Sequence, residues 1–91
     1  MRLVHFEIAG DVQGVGFRAF ARTTAMRLGL AGWVRNLSSG NVEFTAAGEP
    51  AAVDEFLSVV RRGPPHAVVK QVIMLTPPVN PEVPLPFTIL K

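Results

Sequence analysis

The sequence predicts an α+β fold in which two helices cover one face of an antiparallel sheet. Three observations carry this. The hydrophobic period switches between that of a strand and that of a helix in the order β-α-β-β-α-β. Ser38-Ser39-Gly40 supplies turn chemistry between the second and third strands and makes them a hairpin. With 91 residues, 48% hydrophobic and 18% charged, the chain suits one modest core and leaves no room for another domain. Residues 1–91 are therefore expected to form a single unit.

Arg2 to Ala9 alternates, with Val4, Phe6 and Ile8 on one face and Leu3, His5 and Glu7 on the other. That is the pattern of a half-buried strand, with His5 facing solvent. Gly10 to Gly16 reads as a loop. From Phe17 the spacing becomes helical: Phe17, Phe20, Ala21, Thr24 and Leu28 fall on one stripe, and Gly29 stands at the C′ position. Leu30–Asn36 and Val42–Ala47 are the hairpin strands. Glu49-Pro50 opens the second helix, because proline at the first helical position loses no hydrogen bond. Val53, Phe56, Leu57 and Val60 form its buried stripe. Asp54 and Glu55 early and Arg61 and Arg62 late suit its dipole, and Gly63-Pro64-Pro65 ends it. Ala67–Leu75 is the fourth strand, and its broken alternation is the mark of a bulge. Thr76 to Pro86 is a stiff proline-rich loop, and Phe87–Leu90 adds a short C-terminal edge strand.

Composition excludes several function classes. There is no cysteine, so disulfides, thiolate nucleophiles and cysteine-held zinc are ruled out. No apolar run is long enough to span a bilayer, and Met1 opens an alternating segment rather than a secretory leader. The net charge of +2 is spread along the chain, which does not suggest a nucleic-acid tail. His5 and His66 share no ligand spacing, so no metal site is expected. Arg22 reads as part of a solvated helix face. The expected protein is a cytoplasmic monomer.

The element order is the ferredoxin-like βαββαβ sandwich, whose usual strand order is 4-1-3-2. In that topology the first two strands run parallel, joined by a right-handed crossover through the first helix. Their C-terminal ends share one edge of the sheet. The glycine loop after strand one and Asn36 at the end of strand two are thereby brought together.

Gly14 and Gly16 free the loop to take positive φ, so that successive N–H groups converge as a nest. The loop runs into a helix N-terminus, where free amides and the dipole favour an anion. Arg18 adds a planar fork matched to two phosphate oxygens. The loop amides and Arg18 would thus compose a compact phosphate or carboxylate receptor. The same residues also suit a plain tight turn with a surface arginine, and Asn36 also suits a turn cap. A dinucleotide-binding reading of Gly14, Gly16 and Ala19 fails, because it needs a doubly wound parallel sheet.

Val12-Gln13-Gly14-Val15-Gly16-Phe17-Arg18, followed by Gly32-Trp33-Val34-Arg35-Asn36, strongly resembles the acylphosphatase family. The resemblance continues through Gly40, Val42-Glu43, Arg61-Arg62-Gly63-Pro64-Pro65 and Phe87-Thr88-Ile89-Leu90. It implies metal-free, cofactor-free hydrolysis of a small acyl phosphate to a carboxylate and inorganic phosphate. Arg18 and the amides of residues 13 to 18 would bind the phosphoryl group, and Asn36 would position the attacking water. Two positions depart from the family pattern: Asp11 stands where a basic residue is common, and Ser39 where Asp or Asn precedes the glycine.

The chemistry agrees with this implication. A carboxylate leaves without a general acid, and a phosphoryl oxygen takes the proton of water, so positioning and charge stabilisation suffice. Two rivals remain at this point. One is a non-catalytic module of the same fold that holds a phosphorylated ligand. The other is an RNA-binding ferredoxin-like domain, which would need aromatic residues on the open sheet face. That face is assigned His5, Glu7, Glu43 and Thr45, with Trp33 as the exception.

Overall fold

The computed structural model describes residues 1–91. Its elements are β1 (Arg2–Asp11), α1 (Phe17–Arg27), β2 (Ala31–Asn36), β3 (Val42–Gly48), α2 (Pro50–Arg62), β4 (Val68–Leu75) and β5 (Thr88–Ile89). The sheet order is β4-β1-β3-β2-β5. This is the expected ferredoxin-like order with the edge strand added beside β2. The edge strand makes the sheet mixed: β5 runs parallel to β2, pairing Thr88 with Trp33 and Ile89 with Val34. All other pairs are antiparallel. No helix is long and apolar enough to cross a membrane.

The core lies between the helices and one face of the sheet. Alternation along β1 puts Val4, Phe6 and Ile8 inward, where they meet Val42, Phe44 and Ala46 of β3 and Val53, Phe56 and Val60 of α2. Phe6 and Phe44 stack with centroids 4.6 Å apart, and Phe56 meets both edge-on. Each such pair contributes about 0.5–1.5 kcal/mol beyond its buried area. Phe17 packs edge-on against Phe44 and so fixes the start of α1 to the middle of the sheet. Phe20 and Leu28 lie at the margin of the α1 stripe, and Ala25 takes a fully buried place in it.

The bulge expected in β4 is present. Ala9 pairs with Gln71 and Gly10 with Val69, which leaves Lys70 unpaired. Strand β1 runs to Asp11, two residues beyond the expected Ala9, so the connecting loop begins at Val12. Helix α2 has no acid in its first turn. Asp54 and Glu55 instead pair with Arg2 and Arg27, so they tie the helix to β1 and α1 rather than serving its dipole.

One expectation is overturned on the outer face of the sheet. His5 does not face solvent: its side chain is 13% exposed, with Nδ1 2.8 Å from Thr45 Oγ1 and Nε2 3.1 Å from Glu43 Oε2. Thr45 and Glu43 are themselves buried. The reason is that β3 has a strand on each side. Long side chains from β1 and β2 close over its polar positions, while Arg35 Nε donates to Glu43 Oε1 at 2.6 Å. Trp33 is engaged there too, edge-on to His5 and beneath the Arg35 guanidinium at 5.3 Å.

Candidate active site

Strands β1 and β2 both pair antiparallel with β3, so their C-terminal ends point the same way. Beyond those ends lies a cleft of about 230 Å³ lined by Val12, Gly14, Gly16, Phe17, Arg18, Ala19, Asn36 and Ile89. The loop and the asparagine that the sequence marked are therefore in one place.

The loop between β1 and α1 takes its shape from its glycines. Gly14 has φ +76° and Gly16 φ +78°, while Val15 between them has negative φ. Alternation of this kind turns successive N–H groups toward a common point. Gly16 is also the N-cap of α1, and no side chain caps that helix. None of the amides of residues 13 to 18 donates to a backbone carbonyl; the first bond of this region is Phe20 N–H to Gly16 O, at 3.0 Å. The cleft thus has a floor of unbonded donors at the positive end of a helix dipole.

Arg18, in the first turn of α1, lines the cleft half-buried and takes part in no ion pair or hydrogen bond within the chain. Asn36 ends β2 opposite Val42. Its Oδ1 is buried and has no hydrogen-bond partner. It does not cap the turn: Ser39 Oγ serves there, accepting from Asn41 N–H at 3.3 Å. A buried acceptor without a partner costs about 1–3 kcal/mol, so this one marks a place for a donor from outside the chain.

Of the other residues singled out, Val15 packs against the core and does not line the cleft. The Gln13 side chain turns away, its Nε2 donating to Leu37 O at 2.7 Å and Asn41 O at 2.9 Å. Only its backbone amide remains for a ligand. Asp11 is exposed at the end of β1 and makes no side-chain bond to the loop. Sequence reasoning did not place Val12, Ala19 or Ile89 here. Val12 and Ala19 flank the receptor in sequence and were within reach of it. Ile89 arrives through the parallel β2–β5 pairing, which no local pattern announces.

No carboxylate, imidazole or thiolate lines the cleft, and the chain has no group of three or more His, Cys, Asp or Glu suited to a metal ion. The acylphosphatase family model matches residues 4–83. The chain belongs to the acylphosphatase family. An acylphosphatase of Acidiphilium cryptum is 48% identical over 79 residues, covering 85% of this chain and 87% of that one. An acylphosphatase structure from Coxiella burnetii has 36% identity and a TM-score of 0.85, covering 97% of this chain and 90% of its own. The structure of T. kodakarensis HypF contains a similar unit, with 29% identity and a TM-score of 0.82. That match covers all of this chain and 12% of that one. This acylphosphatase chain spans most of the length of its curated relative and a small part of the larger protein.

Proposed function

We propose that the protein hydrolyses acyl phosphates by holding the phosphoryl group in the loop amides of residues 13 to 18 and on Arg18, while Asn36 aims the attacking water. Acyl phosphate hydrolysis follows from family membership. The assignment of roles rests on one observation above all: Asn36 Oδ1 is buried and unpartnered beside a floor of unbonded amides. Water donates one hydrogen to that oxygen, which fixes its lone pair toward phosphorus. The new bond joins the water oxygen to phosphorus. The bond from phosphorus to the acyl oxygen breaks, and its electron pair leaves with the carboxylate. The water proton passes to a phosphoryl oxygen. Charge on the equatorial oxygens meets the nest and the guanidinium fork.

The donors in the cleft are amides and one guanidinium, so on this reading the reaction is metal-independent. The reading also takes the protein to be a cytoplasmic monomer, which sedimentation and fractionation test. Phosphate release from benzoyl phosphate, with and without chelator, tests the chemistry. We expect full activity after chelation. In Asn36→Ala, turnover falls about 100-fold while inorganic phosphate, titrated calorimetrically, binds within a few-fold of the parent. Proportional loss of both would make Asn36 a ligand-holding residue instead. The HypF likeness favours a second reading, a phosphoryl-binding module of a larger system. Phosphate binding without benzoyl phosphate hydrolysis would select it.

A further inference from the structure

Residues 12 to 15 form no backbone hydrogen bond to any other element. Their one polar anchor is the Gln13 carboxamide, whose two N–H groups reach Leu37 O at 2.7 Å and Asn41 O at 2.9 Å. Those carbonyls bracket the connection between β2 and β3. That connection is stiff: Leu37 N–H donates to Asn41 O at 2.9 Å and Gly40 N–H to Leu37 O at 3.1 Å. Asn41 Nδ2 also donates to Glu7 Oε1 at 2.9 Å, which fastens the turn to β1. Leu37 directly follows Asn36, and Gly14 directly follows Gln13.

We propose that Gln13 is a positioning residue that sets the distance between the phosphate-holding loop and the water-aiming asparagine. This rests on the hydrolytic reading given above. The nest and Asn36 belong to different elements, and β1 and β2 are not neighbours in the sheet. Without the carboxamide bridge, the loop keeps its two ends, Asp11 paired with Val68 and Phe17 packed on Phe44, and the packing of Val12 and Val15, but no polar bond ties it to the β2–β3 connection. Packing resists inward motion better than sliding along the cleft. A shift of about 1 Å between water and phosphorus costs up to about 100-fold in rate.

A double-mutant cycle tests this, using Gln13→Met, which keeps length and removes both donors, with Asn36→Ala. Benzoyl phosphate turnover is measured at high enzyme concentration, and inorganic phosphate affinity and thermal melts are recorded alongside. In the native background, Gln13→Met should lower kcat about 10- to 100-fold with phosphate affinity changed less than a few-fold. In the Asn36→Ala background, the same change should cost no more than about twofold, because there is no longer an aimed water to misplace. Gln13→Asn, which keeps the carboxamide on a shorter arm, should fall between and serves if Gln13→Met does not fold. Equal losses in both backgrounds, or phosphate affinity lost in step with kcat, would overturn the proposal and leave the hydrolytic reading standing. Normal turnover in Asn36→Ala alone would remove the water-aiming role, and this proposal with it.

Discussion

Arg35 and Arg18 occupy opposite states in the same small domain. Arg35, on the outer face of the sheet, donates to Glu43, lies over Trp33, and belongs to a network that includes His5 and Thr45. Arg18, in the cleft, is bonded to nothing in the chain. The amides follow the same division. Those of the central strands β1, β3 and β2 face a neighbour on both sides, while those of residues 13 to 18 donate to no backbone carbonyl. The outer face shows what polarity does for a fold: fully paired polar groups stiffen a surface and add modest stability. The cleft shows polarity left unpaired within the chain, which the proposed mechanism fills with a substrate and a water. The two kinds of mutant should therefore fail in different ways.

The largest effect is expected at Arg18. Arg18→Ala removes the only side-chain cation of the cleft, and kcat/KM should drop about 1000-fold with the melting temperature nearly unchanged. Arg18→Lys keeps charge without the fork and should remain strongly impaired. Near-normal turnover in either variant would break the comparison at its root.

Glu43 is the opposite probe. Its side chain is 11% exposed and serves both His5 and Arg35. Glu43→Gln weakens both contacts and should destabilise by about 1–3 kcal/mol in a denaturant titration. Turnover of the folded fraction should change less than about twofold, within the usual scatter for a site remote from the reacting atoms. A large fall in kcat with stability intact would mean that the outer network reaches Asn36 through Arg35.

The smallest effect concerns Asp11, an exposed carboxylate one residue before Val12 of the proposed anion site. It accepts no hydrogen bond from the loop and pairs with no arginine. That leaves electrostatic steering as its influence. Asp11→Arg should raise kcat/KM a few-fold at low salt with kcat unchanged, and the gain should fade as the Debye length shrinks to about 8 Å near physiological ionic strength. A loss of kcat or of thermal stability at every salt concentration would assign Asp11 a structural part.

The residues that could be read in advance are those whose signal is local. Alternation in β1, the helical stripe of α1 and the Pro50 start of α2 each lie within a few residues, and all three elements are present, with β1 running two residues further than expected and Phe20 and Leu28 at the margin of the α1 stripe. Gly14, Gly16, Arg18 and Asn36 converge because the order of elements dictates which strand ends share an edge. Periodicity also separated the two faces correctly, but it cannot say how deeply a face is covered. His5 shows this: alternation gave its direction, and only the side chains across β3 decided its burial. Ile89 and the Gln13 carboxamide were illegible for a related reason. Their partners are far away in sequence and are chosen by geometry rather than by residue type.

The place of β3 between β1 and β2 also bears on the order of events during folding. Residues 13 to 36 contain every group assigned to the reaction, yet the strand that spaces those groups, Val42–Gly48, comes later in the chain. Helix α1, 11 residues long and without a side-chain cap, is marginal until it packs on the sheet, and the insertion of β3 must wait for distant loops to close. A refolding chain should therefore regain its turnover only when β3 docks. Each half of the proposed catalytic pair stays idle until a segment that lines no part of the cleft slides between the strands that carry them.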